Sequence, residues 1–290
     1  RHLSILRKHA QRHGMHVASV NQVGGNDDLI FDGRSCVVAP DGRLLARAAA
    51  FETALMCVDL PLTQTHSGVV STEETSDRAS AAMTAARFVG ASHGHDRVAS
   101  SDEDLFRALV LGVRDYLGKT GFTSALLGLS GGIDSAVTAA IAAAALGPAH
   151  VLGVSLPGPY SSEHSKSDAY DLAARLGIRC MTVPISVPFD GAVAAIDPAM
   201  ATLGASKLGE RLPDIAEENL QSRLRGTILM ALSNRTGAIV LTTGNKSELA
   251  VGYCTLYGDM NGGLAVLSDV TKHWVYRLAR FMNDQHTLLG

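Results

Sequence analysis

From residue 101 onward, apolar and polar positions come in blocks. Leu105, Leu109 and Val113 fall at helical spacing behind Asp102-Glu103-Asp104, which predicts a helix capped by those acids and running to about Gly118. The apolar run at 124–127 ends in Gly128, as a buried strand would. Residues 136–146 are almost all Ala, Val, Ile and Leu, a uniformly apolar helix. Strand 151–156, helix 166–176, strand 180–184, helix 220–233 and strand 238–242 follow. This alternation predicts an α/β fold with a doubly wound parallel sheet, in which ligands bind beyond the C-terminal strand ends. The first sixty residues read differently. Leu3, Leu6 and Ala10 stand among Arg, Lys, His and Gln, an amphipathic helix over 1–16. Short β-type runs at 17–20, 29–31, 36–39, 44–48 and 55–60, punctuated by Asn26-Asp27, Asp32-Gly33 and Asp41-Gly42, predict the edge of an antiparallel sheet. Residues 61–100 are rich in Ser, Thr, Gly, His and charge, without sustained pattern, and read as linker. The predicted division is 1–60, a linker at 61–100, and 101–290.

Composition narrows the partners. A net charge of −3 and a pI near 6.4, with no basic stripe, argue against nucleic acid. At 5% aromatic residues, a base-stacking platform is not expected either. No apolar run reaches the roughly 18–20 residues of a membrane span, and no signal peptide is visible, so no membrane partner is expected. Cys36, Cys57, Cys180 and Cys254 are far apart and form no C-x-x-C pair. That argues against zinc and a disulfide framework, fits a reducing cytoplasm, and makes all four small buried hydrophobes. His9, His13 and His16 share a helical face, but interleaved Lys and Arg favour a solvated surface over a metal site. His93-Gly94-His95 reads as a loop. The chain opens on Arg1 without Met and closes at Gly290 soon after a helical pattern, so a fragment is expected.

The chemistry concentrates at Gly128-Leu129-Ser130-Gly131-Gly132-Ile133-Asp134-Ser135, between the predicted strand and the apolar helix. A helix N-terminus leaves backbone N–H groups free and carries partial positive charge, a ready anion site. Gly131 and Gly132 let the backbone approach an oxyanion, and Ser130 and Ser135 add hydroxyl donors. Asp134 sits badly beside phosphate unless a cation intervenes, which implies Mg²⁺. A G-x-x-x-x-G-K-[ST] loop needs a Lys that is missing here. The bland alternative is an ordinary Asp/Ser-capped helix. A second strand end, Leu156 to Ser162, is rich in Pro, Gly and hydroxyls and frames either a nucleoside or an ordinary loop. A third runs Thr242-Thr243-Gly244-Asn245-Lys246-Ser247-Glu248. Glu248 either compensates the helix dipole or shares Mg²⁺ with Asp134 on a polyphosphate, the favoured reading. Residues 253–263 are too Gly-rich and polar for a helix and read as a loop over a site. Arg223 and Arg225 beside Glu217-Glu218 make either solvated intrahelical pairs or a ligand face. Asn219 and Arg223, four apart, present an amide and a guanidinium together, as a polar anionic ligand requires. Lys272 stands at the start of a helix, where the dipole disfavours a cation, and so is expected to meet phosphate.

Ser130 to Ser135 resembles the signature of the pyrophosphate-loop ATP pyrophosphatases. With Glu218 to Arg223, Thr242 to Glu248 and Tyr257-Gly258-Asp259, the stretch 100–283 resembles NAD synthetases. Residues 20–33 resemble the last part of the nitrilase-like glutaminase domain fused to the long, glutamine-dependent form. The resemblance implies a fold like that of the adenine nucleotide α-hydrolases, preceded by the end of a nitrilase-like domain at 1–60. It also implies a synthetase domain at 101–290 that is C-terminally incomplete. The implied reaction adenylates nicotinic acid adenine dinucleotide with ATP, releases pyrophosphate, and lets ammonia, drawn from glutamine, displace AMP to give NAD. The implied site has Gly128, Leu129, Ser130, Gly131, Gly132, Ile133, Asp134, Ser135, Thr243 and Lys272 on ATP. Asp134 and Lys272 are catalytic, and Asp134 and Glu248 hold Mg²⁺. Asn219, Arg223, Glu248, Tyr253 and Asp259 face the deamido-dinucleotide. A homo-oligomer, dimer or larger, is implied as well. Long-form members hydrolyse glutamine with a Cys-Glu-Lys set placed earlier than any residue here. Cys36 has no such partners and reads as core, so no glutaminase activity is expected of this chain. The rival readings are another pyrophosphate-loop adenylating enzyme, such as a tRNA thiolase or nucleotide amidotransferase, and an inactive nucleotide-binding fragment.

Overall fold

The structure, a computed structural model, describes residues 2–60, 100–159, 161–210 and 214–284. The linker expected at 61–100, including His93 and His95, lies outside the described residues apart from Ser100. The chain divides into two compact units, one drawn from Arg1–Gly24 and Phe31–Val98, the other from Gly25–Ile30 and Ala99–Gly290.

The first unit begins with α1 (His2–His13) and β1 (Val17–Ser19). β2 (Val23–Asn26) and β3 (Leu29–Asp32) form a two-stranded ribbon whose tip, residues 25–30, groups with the second unit. β4 (Cys36–Val38) and β5 (Leu44–Arg47) complete a three-stranded antiparallel sheet in the order β1-β4-β5. Every residue of β4 is buried, and Ala10 of α1 is buried too. The antiparallel, β-rich character matches the expectation, with two differences. Val23–Asn26 is a strand that its Gly24-Gly25 pair conceals, since glycine gives no alternation to read. The run at 55–60 is not a strand: its chain is irregular and Leu55 and Leu60 are exposed, so no apolar face holds it.

In the second unit α2 (Ser101–Thr120) starts one step earlier than predicted. Its cap is Ser100, whose Oγ accepts from the Glu103 N–H at 3.1 Å, while Asp102 to Asp104 form the first turn and face the dipole. β6 (Ala125–Gly128), α3 (Ile133–Leu146), β7 (Val151–Ser155), α4 (Glu163–Leu176) and β8 (Arg179–Thr182) follow. Then come α5 (Ser186–Thr202), α6 (Ile215–Thr236), β9 (Ile239–Thr242), α7 (Lys246–Val251), β10 (Leu264–Ala265) and α8 (Lys272–Asp284). The five strands form one sheet, order β10-β9-β6-β7-β8, every pair parallel. The doubly wound α/β architecture is therefore as expected. Pattern reading missed α5, whose Pro188, Gly191 and Pro198 look like breakers. Pro188 falls in the first turn, where a missing N–H costs little. It also shortened α6, whose polar residues blur the helical period.

α2, α3, α4 and α8 cover one face of the sheet and α6 the other. α3 is apolar all round because it lies between the sheet and its neighbouring helices, burying Val137 and Ala139 to Ala143. Leu117, Leu127, Ile141 and Leu278 are fully buried in this layer, each contributing roughly 1.5–3 kcal/mol of hydrophobic stabilisation. From β6 the chain winds outward through β7 to β8, then returns to β9 on the other side of β6. The reversal lies between β6 and β9, and there the loops at the strand ends diverge into a crevice. No described helix is long and apolar enough to cross a membrane.

Candidate active site

The turn after β6 brings the octet to this crevice. Gly131 adopts φ +77°, a left-handed conformation that favours glycine. Gly132 stands at the N-cap of α3 in extended conformation, and no side chain caps the helix. Its orphan N–H groups are thus left for a ligand. The two serine hydroxyls are placed differently. Ser135 is buried and its Oγ donates to the Gly132 carbonyl at 2.9 Å. Ser130 and Ser135 share a hydrogen bond at 3.2 Å, and the Gly132 N–H donates to Ser130 Oγ at 3.2 Å. Ser135 braces the turn from inside, whereas Ser130 lines the open cavities.

Asp134 lies in the first turn of α3. Its Oδ1 accepts from Asn245 Nδ2 at 3.0 Å, and its Oδ2 accepts from the Lys272 ammonium. Glu248 Oε1 is 3.6 Å from the same ammonium, and its Oε2 accepts the Asn245 N–H at 3.2 Å. Asp134, Glu248 and Lys272, separated by up to 138 positions in the chain, thus converge. Partial burial acts to lower the Lys272 pKa, but the hydrogen bond and charge of Asp134, with Glu248 behind it, outweigh burial and raise it. The misfit of a lysine at a helix start is resolved here: Asp134 is its partner, and the Lys272 backbone N–H donates to Ser247 Oγ at 3.0 Å.

The second group expected in the site assembles on α6. Asn219 Oδ1 accepts from Thr255 Oγ1 at 2.9 Å, and Arg223 Nε donates to the Leu256 carbonyl at 3.2 Å. Asp259 accepts the Thr255 N–H at 2.7 Å and donates its own N–H to Ser222 Oγ at 3.1 Å. Asn219, Arg223 and Asp259 therefore converge by pinning the 253–261 loop, and Tyr253 stands 80% exposed on it. The loop rides directly on the helix: a Cβ on Gly226 would fall 2.8 Å from the Gly258 carbonyl. Arg225, read from sequence either as a partner for glutamates or as part of a ligand face, donates from Nε to the Leu156 carbonyl at 3.0 Å and lines the smaller cavity. Burial pulls its pKa below the usual arginine value. The strand end at Leu156–Ser162 is a braced turn, with the Gly158 N–H on Ser161 Oγ at 2.8 Å; Tyr160 lies outside the described residues.

Two cavities open at the crevice. One, of about 320 Å³, lies against Gly128, Leu156, Ser161, Arg225 and Gly226. The other, of about 530 Å³, lies against Asp134, Glu248, Tyr253, Cys254 and Met260. Ser130, Thr242, Thr243 and Asp259 line both and form the wall between them. Asn245 is the residue sequence reasoning passed over. Asn245 was legible only as a helix-capping type, and its contact with Asp134 spans 111 positions. The cysteines also differ from expectation: only Cys36 is buried, Cys57 is exposed, and Cys180 and Cys254 are half-buried. Burial pushes the Cys36 thiol up, which suits a core residue and not a nucleophile. His9 and His13 stack at 6.1 Å on an exposed face.

A parallel doubly wound sheet with an uncapped helix N-terminus, a carboxylate pair and a lysine at its switch point defines an α/β protein with an anion-site geometry at its strand ends. More narrowly, the chain belongs to the NAD synthase family, whose model matches residues 105–289; the carbon-nitrogen hydrolase model matches residues 1–67. It is 46% identical over 289 residues to the glutamine-dependent NAD(+) synthetase of Synechocystis sp., covering 99% of this chain and 46% of that protein. The structure of glutamine-dependent NAD+ synthetase from Acinetobacter baumannii, in complex with adenosine diphosphate, superposes with a TM-score of 0.78. Identity is 37%, over 99% of this chain and 49% of that one. NMN synthetase from Francisella tularensis gives a TM-score of 0.56 at 27% identity, over 65% of this chain and 74% of that one. The chain spans about half the length of the curated glutamine-dependent relatives it matches.

Proposed function

We propose that this chain carries the synthetase half of a glutamine-dependent NAD synthetase. In this reading the carboxylate of nicotinic acid adenine dinucleotide is adenylated by ATP and then amidated to NAD, with AMP and pyrophosphate released. The observation that carries the reading is the convergence of Asp134, Glu248 and Lys272 beside the uncapped start of α3. Ammonia reaches the site from glutamine hydrolysed by the nitrilase-like part of the complete protein, of which residues 1–67 match a portion.

The chemistry follows from charge and alignment. A carboxylate oxygen of the dinucleotide forms a bond to the α-phosphorus of ATP as the bond to pyrophosphate breaks. Ammonia then bonds to the acyl carbon, loses a proton, and AMP departs. The α3 N-terminus and the Lys272 ammonium stabilise charge growing on the phosphate oxygens. Gly128 to Asp134 and Thr243 hold the polyphosphate on a turn that Ser135 braces. The smaller cavity takes the adenosine, and the larger one takes the dinucleotide against Tyr253, Glu248 and Asp259, on a loop that Asn219 and Arg223 hold. The donor set fits Mg²⁺: Asp134 and Glu248 both reach one ammonium and offer hard oxygen ligands. Among the described residues no group of three His, Cys, Asp or Glu side chains could hold a metal, so Asp134 and Glu248 would hold Mg²⁺ only together with the nucleotide. Mg²⁺, when bound, neutralises polyphosphate charge, with Asp134 and Glu248 as its protein ligands. Exposed Val251, Leu256 and Tyr257, near in sequence to Tyr253 of the larger cavity, support a homo-oligomer that covers them.

The test is incubation with ATP, Mg²⁺, nicotinic acid adenine dinucleotide and ammonium. Equal amounts of AMP and NAD are expected. Nucleotide binding without AMP release supports a nucleotide-binding fragment instead, and adenylation of a different acceptor supports another pyrophosphate-loop enzyme.

A further inference from the structure

Asn245 is fully buried, yet it is polar and belongs to no apolar cluster. Its side-chain oxygen, its side-chain NH₂ and its backbone N–H are all engaged, and its carbonyl accepts the Leu249 N–H at 3.1 Å. Oδ1 accepts from the Ser247 and Glu248 N–H groups at 2.9 and 3.0 Å, capping α7. The backbone N–H donates to Glu248 Oε2, and Nδ2 donates to Asp134 Oδ1. Since Oδ1 must face the N–H groups of the helix, the amide can present only its NH₂ to Asp134. Capping alone does not require Asn, because Asp and Ser cap equally well. Neither offers a side-chain N–H. The choice of amide thus answers to Asp134.

We propose that Asn245 is a positioning residue that sets the spacing and aim of the Asp134 and Glu248 carboxylates for Mg²⁺-nucleotide, an inference that rests on the metal role given to that pair above. One residue holds both: Asp134 through its side chain, Glu248 through its backbone. The two bonds on Asp134 differ in kind. Oδ2 holds the Lys272 ammonium, which is 36% exposed, at the end of a long flexible side chain. Oδ1 holds a short, fully buried amide that has nowhere to go. When Lys272 leaves Asp134 for phosphate, Asn245 keeps the carboxylate from following it and leaves Oδ2 facing the larger cavity.

The experiment titrates Mg²⁺ at fixed ATP and reads nucleotide-dependent thermal stabilisation of the chain, without turnover. Asn245→Ser keeps a capping oxygen and loses the donor, and is expected to need about tenfold more Mg²⁺ for half-maximal stabilisation. Asn245→Asp, which keeps the size and the cap but turns an acceptor toward Asp134, is expected to need more still. Ser100→Ala removes the cap of α2, away from the site, and is expected to lower the melting temperature without moving the Mg²⁺ midpoint. If both Asn245 variants keep the wild-type midpoint, or if Ser100→Ala shifts it as far as they do, Asn245 is only a helix cap and the inference is wrong. A wild-type chain that ATP stabilises equally with and without Mg²⁺ overturns the metal role and this inference together, whereas a wild-type response to Mg²⁺ with unshifted variants overturns this inference alone.

Discussion

β6 and β9 lie side by side and parallel, and each runs through a glycine-containing turn into a helix, yet the two helices begin in opposite ways. α3 has Gly at its N-cap and no side chain on its free N–H groups. α7 has the full reciprocal capping box, Asn245 on Ser247 and Glu248 and Glu248 back on Asn245. The difference tracks length and support. Eight of the fourteen residues of α3 are buried, so packing secures it and it can leave its N-terminus unsatisfied for a ligand. α7 has six residues, none of them buried, and depends on its cap. One strand end is built to receive anionic charge, and its neighbour is closed to anions and presents a carboxylate.

The sharpest way to break this contrast is to remove the carboxylate that the open turn carries. Asp134→Asn is expected to lower NAD formation by about 10²- to 10³-fold, measured as AMP release in single turnover, with little loss of stability. Retention of near-normal turnover would mean that Asp134 does not act on the nucleotide. Next in size is closing the open helix. Gly132 has the extended φ of −86° that an N-cap residue adopts, so Gly132→Asp gives α3 the cap it lacks. ATP affinity, read by calorimetry, is expected to fall about tenfold, the cost of placing a negative charge where the helix dipole should meet phosphate. Stability should change little, since Gly is nearly as good a cap and the new Cβ, 3.2 Å from Ser130 Oγ, displaces only a side-chain hydroxyl. Unchanged ATP affinity would place the phosphates elsewhere. A smaller effect is expected from Ser247→Ala, which strips the acceptor from the Lys272 backbone N–H. Urea denaturation should show a loss of about 0.5–1.5 kcal/mol. The smallest concerns a third helix start. Asp214 caps α6 through the Gly209, Glu217 and Ala216 N–H groups, which hold its carboxyl below the usual 3.8. A lowered pKa means that its contribution is complete above the unfolded value and is lost as pH falls through the folded one. Amide exchange at the start of α6 should therefore quicken below about pH 3.8.

How much of this was legible depends on the range of the signal. β6, the octet and α3 are contiguous, so a buried strand, a Gly turn and an apolar helix could be read in one pass. Glu248 and Lys272 were legible as oddities, a carboxylate at one helix start and a cation at another. α5 was hidden because Pro188 and Pro198 break the local pattern while the packing of α5 against α6 sustains the helix. Arg225 stayed open between a partner for glutamates and a ligand face because nothing local shows that the Leu156 carbonyl lies beside it.

By itself the sequence determined the strand-and-helix alternation, the glycine turn and the kinds of groups available at each strand end, because propensity and periodicity act over a few residues. Only the tertiary structure decided which of those groups meet. The return of the chain from β8 to β9 on the far side of β6 sets Asp134 against Asn245, Glu248 and Lys272, and contacts over more than a hundred positions have no local signature. It also decided that Ser135 braces a turn, that Arg223 and Asn219 hold a loop, and that Asn245 stands between the two carboxylates, since burial and hydrogen-bond partners belong to the packed molecule.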